Sequence, residues 1–390
     1  MEPDTAATRI LGRVTGGPGP VLVAVGGMHG NEPAGVEALE RVLATLDRES
    51  YPIRGSFLAL RGNGAALRHH RRFVDCDLNR HWTRDNLEAA RRSGADDATD
   101  PVLSEDRDLV ELHDLILEAL AEAEGETHVI DLHTTSGQSA PFGTVGDTLR
   151  NRSFALSFPI PLIMGLEEHL EGTMLEYMND RGHITLGLEG GRHLDPVSVD
   201  RLEAGVWLAL SVSGVLSDPA AASQVTRARG QLAQAGARLP RVIEVRHRHF
   251  VSPHDEFAMR PGYASFQHVA TGEHLADDDS GPVLAPESGL ILMPLYQPDG
   301  DDGFFIAREF KRFWLGVSAL LRRLHLDRLL PVFPGVRNAL HQPDTLLIDG
   351  RVARWFALEV FHLLGYRKRR RMGDLLVVKR RREAPADKHP

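Results

Sequence analysis

Cysteine and lysine are almost missing from this 390-residue chain. Cys76 is the one cysteine, so no disulfide can close within the chain, which fits a reducing, cytoplasmic compartment. Lysine occurs at 311, 368, 379 and 388, so none ahead of 311 can form a Schiff base or clamp a phosphate. No apolar run approaches the ~20 residues a spanning helix needs, and no membrane partner is expected. The opening MEPDTAATRILGRV lacks the basic start and long apolar centre of a signal peptide. Excess positive charge is missing too: the formal net charge is -9, which argues against a general nucleic-acid binder.

What is present is an ordinary globular composition, 42% hydrophobic and 25% charged, on a chain long enough for more than one domain. Short apolar runs at 21–25, 56–60, 128–132, 160–164 and 184–188 read as strands. Between them, 34–46 and 107–123 carry apolar residues at three- and four-residue spacing, as amphipathic helices do. The alternation predicts an α/β fold, a mostly parallel mixed sheet flanked by helices. Residues 84–106 read as a polar surface excursion, and a helix over 198–216 closes a first domain of residues 1–216. A linker is expected over 217–240. Short alternating runs between Gly and Pro turns predict a smaller C-terminal all-β domain over 241–310. That region contains no lysine, which excludes a biotin- or lipoyl-type carrier. Residues 311–390 read as a helical extension, with runs at 311–325 and 352–365. It ends in a solvated basic tail, Arg367 to Arg371 and Lys379 to Arg382.

Three strand ends carry residues able to do chemistry. His29 and Glu32 follow the first run across Gly26-Gly27, His133 ends the run HVIDLH, and Glu189 ends ITLGLE. In a parallel sheet, strand ends of one sense lie along one edge, so the four can surround one crevice. Taken singly, each has a plain reading as a turn cap, a helix-dipole carboxylate or a satisfied strand-end histidine. Together they match a catalytic zinc pattern, two histidines and a carboxylate with an open position. A further carboxylate serves as base in metal-assisted hydrolysis. Asp131, two residues before His133, suits an acceptor that orients an imidazole. In RFVDCDLNR, Arg72, Asn79 and Arg80 offer planar forks and amide donors to an anionic group. Cys76, within the same stretch, reads as a small buried residue.

GMHGNE, RFVDCDLNR, VIDLHTTS and GLEGG, in this order, resemble the succinylglutamate desuccinylase and aspartoacylase family of zinc carboxypeptidase-like hydrolases. The resemblance runs over residues 10–310. It implies His29, Glu32 and His133 as ligands of one Zn2+ per chain, and Glu189 as general base and proton shuttle. It implies Arg72 as the carbonyl-polarising residue and Asn79 with Arg80 as a clamp for the substrate carboxylate. It also implies that the β region of 241–310 partly covers the site. The expected activity is hydrolysis of the amide bond of a small N-acyl amino acid or related acidic metabolite. An esterase or carboxypeptidase on the same machinery, or a non-catalytic metal or metabolite binder, stays open. Aspartoacylase has a Tyr and an Arg ahead of the base; here, in MLEYMNDRGHITLGLE, neither Tyr177 nor Arg181 falls at that spacing. Residues 311–390 lie outside the shared motifs.

Overall fold

The fold is described from a computed structural model over residues 8–93, 103–252, 254–339, 342–349, 363–372, 375–381 and 383. The chain opens with β1 (Ile10–Thr15), β2 (Val21–Gly26), α1 (Ala34–Glu49), β3 (Ser56–Arg61) and α2 (Gly64–His69). Then come α3 (Arg84–Ser93), α4 (Ser104–Ala121), β4 (Thr127–Thr135), β5 (Phe142–Thr144) and α5 (Leu149–Ala155). Next are β6 (Leu162–Met164), α6 (Met174–Asp180), β7 (Ile184–Arg192), α7 (Pro196–Val212) and α8 (Ala222–Gly236).

In the main sheet β3, β2, β4 and β7 lie side by side and parallel, with β1 antiparallel at the edge of β3. A strand flanked on both sides and covered on both faces must be apolar throughout, and every residue of β2 is buried. Its side chains alternate between layers. Leu22 and Ala24 join the core under α1 and α7, with Leu39 and Trp207. Val21, Val23 and Val25 join the opposite core, with Leu109, Leu112 and Ile116 of α4. The expected mostly parallel sheet with helices on both faces is the architecture observed.

The second half of the chain continues that sheet. β8 (Val242–Phe250) pairs in parallel with β6, which pairs with β5 beside β7. The following strands are β9 (Ala258–Met259), β10 (His268–Val269), β11 (His274–Asp278), β12 (Gly281–Leu284), β13 (Gly289–Leu292) and β14 (Asp302–Glu309). β14, β13 and β10 extend the sheet beyond β8, giving eleven strands in all, while β9, β11 and β12 form a separate three-stranded sheet. Ile243 and Phe305 pack with Phe142 and Ile163 in one cluster, so the core runs on from residues 142–163 into 243–305. Within the expected linker, α8 is helical and buries Ala228 and Leu232 in the core that holds Trp207.

The C-terminal region differs from its sequence reading. α9 (Arg312–Arg323) is helical as expected. It is followed by β15 (Val336–Ala339), β16 (Gln342–Asp349), β17 (Tyr366–Met372) and β18 (Leu375–Arg380), an antiparallel four-stranded sheet rather than a helical extension. Most of the expected helix over 352–365 lies outside the described residues. Arg367 and Arg381, read as part of a solvated tail, are buried. The reason is long-range charge compensation. Arg367 meets Glu176 and Asp180 of α6, and Arg381 meets Glu167 and Glu168.

Candidate active site

The turn after β2 needs two glycines for different reasons. Gly27 has φ +75°, a left-handed conformation that costs a side-chain-bearing residue. A Cβ on Gly30 would stand 2.0 Å from the Ala66 carbonyl carbon, so the turn closes against α2 only without one. The tight turn then presents His29 and Glu32, both buried, from one side of the crevice. β4 presents His133 from the other side. His133 and Glu189 are partners in the β4–β7 register, so the base candidate is fixed beside the ligand candidate by the sheet itself. The register slips just past that pair, between His133 and Thr135, a bulge of the kind that re-aims side chains at sites.

One ligand atom each from His29, Glu32 and His133 comes within 4.8 Å of the others. The Nδ1 atoms face inward: His29 Nδ1 is 2.8 Å from Glu32 Oε1, and His133 Nδ1 is 3.1 Å from Glu32 Oε2. The outer nitrogens are tied back, His29 Nε2 to Asp77 Oδ1 at 3.2 Å and His133 Nε2 to Asp131 Oδ2 at 2.7 Å. Carboxylates stand behind both imidazoles at Nε2, the arrangement that in metal-binding histidines leaves Nδ1 for the ion. The donor set therefore fits a zinc ion: two imidazoles and one carboxylate, each held by neighbours. Against the cost of burial, His29 and His133 hold the Glu32 carboxyl well below the usual carboxylate range. Burial likewise opposes the charge on Asp77, but His29 and Arg72 outweigh it and hold its carboxyl low.

Glu189 is different. Burial pushes its carboxyl up to about 8, opposed by His133 and reinforced by the Glu32 and Asp131 carboxylates. Its Oε2 is buried without a hydrogen-bond partner. Native structures leave few such atoms, and one beside a candidate metal centre marks a place for a ligand or water. Asp131 Oδ1 and Arg80 Nε are further unpartnered buried atoms beside the same cavity.

Arg72, Asn79 and Arg80 reach the crevice from the segment after α2. Glu105, at the start of α4 and fully buried, organises that segment. It accepts from the backbone N–H groups of Val74, Asp75 and Cys76 at 2.7, 3.0 and 3.3 Å, and from Asn63 Nδ2 at 3.0 Å. Burial, with the Glu105 carboxylate next to it, pushes the Cys76 thiol up to about 12, which disfavours the reactive thiolate. Arg72 donates to Asp77 Oδ2 through Nε and Nη2 at 3.2 and 2.8 Å, with Nη1 3.8 Å from Glu32. Asn79 is largely committed to the scaffold: its Oδ1 accepts from Met174 N at 3.0 Å, and its Nδ2 lies 3.4 Å from Asp131 Oδ2. Arg80 Nη2 donates to Asp302 Oδ2 at 2.9 Å.

These residues line a cavity of about 180 Å3. The β13–β14 connection supplies Met293, Leu295 and Gln297 to its lining, and β14 adds its first residue, Asp302. Ser136 anchors that connection, donating to Pro294 O at 3.2 Å and accepting from Tyr296 N at 3.0 Å. Sequence reasoning missed several participants. His193 bridges Thr134 Oγ1 at 2.7 Å and Gln297 Oε1 at 3.0 Å. Asp302 and Arg367 line the cavity from residues far along the chain. Sequence offered a period-two signal for Asp131 and none for these three. α6 turns Leu175, Glu176 and Asn179 toward the cavity. Tyr177 and Arg181 pack instead on each other, guanidinium carbon to ring centre 3.4 Å, with Tyr177 Oη 3.0 Å from His113 Nε2.

Comparison with known proteins agrees with this architecture. A family model described as the succinylglutamate desuccinylase/aspartoacylase catalytic domain matches residues 18–212. The succinylglutamate desuccinylase of Erwinia tasmaniensis is 44% identical over 59 residues, 15% of this chain and 18% of that protein. That of Burkholderia pseudomallei is 36% identical over 80 residues, 20% of each chain. The chain thus spans about a fifth of the length of the curated relatives it matches. Among solved structures, a succinylglutamate desuccinylase/aspartoacylase from Rhodobacter sphaeroides superimposes with a TM-score of 0.55 at 20% identity, covering 76% of this chain and 88% of the other. The product-bound ectoine utilization protein EutE (DoeB) from Ruegeria pomeroyi gives 0.55 at 18%, covering 76% and 87%. At these identities the likeness is one of fold. The family model spans half of the chain, and His29, Glu32, Arg72, Asn79, Arg80, His133 and Glu189 all fall within the matched segment; the chain belongs to the succinylglutamate desuccinylase/aspartoacylase family.

Proposed function

We propose that this chain is a zinc-dependent deacylase that hydrolyses the amide bond of a small N-acyl amino acid or related acidic metabolite. One observation carries the reading: the inward-facing His29, Glu32 and His133 triad, within 4.8 Å, with Glu189 in register beside His133. A divalent cation held by these three supplies a Lewis acid for the scissile carbonyl and lowers the pKa of the attacking water. Asp77 and Asp131 keep both imidazoles in the tautomer whose Nδ1 is free to ligate. Glu189, pushed up to about 8, has a proton affinity near ambient pH, which suits a group that takes a proton from water and gives it to the leaving amine. Arg72 is held by Asp77 beside Glu32, where a guanidinium stabilises charge developing on the carbonyl oxygen. Arg80 supplies the cation for the substrate carboxylate, and Asn79, held by Met174 N and Asp131, fixes the arginine's base.

Glu189→Gln tests the assignment, because it keeps the shape of the side chain and removes the base. Zinc content, read by elemental analysis, should match that of the parent protein. Turnover should fall by about 10²–10⁴-fold, the usual contribution of a positioned general base. Undiminished turnover in the zinc-loaded variant sinks the assignment. Assayed in parallel on N-acyl amino acids, short peptides and simple esters, the parent enzyme should favour the first class.

A further inference from the structure

The Arg80 guanidinium already has a carboxylate in the place where the proposed function puts the substrate's. Arg80 Nη2 donates to Asp302 Oδ2 at 2.9 Å and lies 3.5 Å from Asp301 Oδ1, while Nη1 donates to Asn79 O at 3.0 Å. Asp302 is bridged: its Oδ1 accepts from Arg248 Nε, so each carboxylate oxygen serves a different arginine. Arg248 is anchored independently, through Nη1 to His169 O at 2.7 Å and through Nη2 to Asp301 Oδ2 at 2.9 Å. The backbone of Asp302 is fixed as the first residue of β14, opposite Phe250 of β8.

We propose that Asp302 is a specificity-determining residue, an internal competitor that occupies Arg80 until a substrate carboxylate displaces it and that is then retained by Arg248. The proposal rests on the reading of Arg80 as the carboxylate clamp. Three observations support a handover. A charge left buried without a partner is costly, and Arg248 removes that cost for Asp302 once Arg80 is taken. The partners of the other cavity arginines are arranged differently. Asp77, the partner of Arg72, also holds His29, so moving it disturbs the triad. Arg367 is held by Glu176 and Asp180 together. Arg80 Nε is buried and unpartnered, a donor in reserve for an incoming oxygen.

The consequence is selection by tethering. Asp302 competes as an intramolecular ligand, at the high effective concentration that a short tether confers. A free monocarboxylate must overcome that unaided. A substrate whose acyl carbonyl is already held at the triad brings its own carboxylate to Arg80 on equally favourable terms. The pocket therefore favours N-acyl amino acids over free acids, including its own acid products.

Asp302→Asn and Arg248→Met test this in opposite directions, on an N-acyl amino acid and on its carboxamide analogue. Asp302→Asn removes the competitor's charge. KM for the carboxylate substrate should fall about tenfold, the factor carried by ~1.4 kcal/mol of lost competition, and inhibition by acetate should strengthen. KM for the carboxamide, which brings no charge to Arg80, should fall much less than KM for the carboxylate. Arg248→Met removes the fallback partner and should raise KM for the carboxylate substrate. Melting temperature and zinc content control for folding, since a merely structural role would move both variants the same way and both substrates alike. A raised or unchanged KM in Asp302→Asn overturns the proposal. Arg80→Met separates it from the reading beneath it. If that variant treats carboxylate and carboxamide alike, the clamp assignment fails. If it penalises the carboxylate alone while Asp302→Asn brings no gain, the competitor fails and the clamp stands.

Discussion

Two histidines on β4 show how far environment decides what one residue type does. His128 and His133 are five positions apart, an odd number, so the pleat sends them to opposite faces. His133 faces the crevice, where the Asp131 and Glu32 carboxylates outweigh burial and raise its pKa well above the ordinary value. His128 faces the core beside Phe154, ring centres 4.8 Å apart, with its Nδ1 unpartnered. Burial, with Arg150 adding, pushes it down to about 4. The folded state therefore keeps His128 neutral over a range in which the unfolded chain binds a proton. Its contribution to stability is complete above about 6.5, the ordinary histidine value, and is lost as pH falls from there toward 4. In that window the loss approaches ~1.4 kcal/mol per pH unit. Denaturant midpoints of zinc-loaded parent and His128→Leu between pH 7.5 and 4.5 should show the parent falling more steeply, by up to one proton. Parallel slopes exclude this placement of His128. The pleat made the two faces legible in advance, and Asp131 as well, because it shares a face with His133. Asp302 was not legible, because nothing near it in sequence records that it folds back onto the crevice; His193, just past β7 and four residues after Glu189, was near enough to suspect but carried no pattern of its own.

At the scale of elements, the fold was readable wherever a segment's own pattern decides its conformation. β2, β3, β4, β6 and β7 announce themselves as apolar runs, and α1 as a stripe with Ala34, Ala38, Leu39, Val42 and Leu46 buried. Membership of a sheet is another matter. The strands over 241–310 were legible as strands, but their union with the main sheet depends on β8 pairing with β6, a register between distant segments. The loop carrying Arg72 and Asp77 is a similar case, since its shape is imposed by Glu105 of α4. Glu105→Ala strands three backbone N–H groups and the Asn63 amide, and should cost roughly 2–4 kcal/mol of stability. It should also lower kcat/KM more than stability alone explains, because Arg72 and Asp77 lose their placement behind the triad. Chemical denaturation together with zinc affinity checks both parts, and an undisturbed zinc affinity would mean that the loop holds its shape without Glu105. By contrast, Glu88, exposed and paired with Arg84 one helical turn earlier, should be replaceable by Ala within about 0.5 kcal/mol.

Across the whole molecule, the C-terminal region is bound to the rest by buried charge, and magnitude separates that arrangement from the solvated tail expected from sequence. Asp147, just before α5, receives Arg152 from its own segment and Arg322 from α9, with Nη2 of Arg322 at 2.6 Å. Arg381 adds a contact at 3.6 Å to Asp147, and its Nη2 lies 2.8 Å from Glu167 and 3.1 Å from Glu168. Burial disfavours the charge on Arg381, yet these three carboxylates hold it firmly in its charged form. Glu167 and Arg367 both line the cavity, so the same contacts that dock the C-terminal sheet also shape part of its wall. A solvated arginine in a basic tail is replaceable within about 0.5 kcal/mol. Removing one member of a buried, hydrogen-bonded ion network costs about 3–5 kcal/mol, because the partners stay buried without compensation. Arg381→Met, which keeps much of the apolar stem, should therefore lower stability by the larger amount. It should also change KM, through Glu167 at the cavity wall, while any metal taken up by His29, Glu32 and His133 is retained. Calorimetric unfolding of the zinc-loaded variant beside the parent decides between the two magnitudes, and a loss below 1 kcal/mol would return Arg381 to the solvated tail.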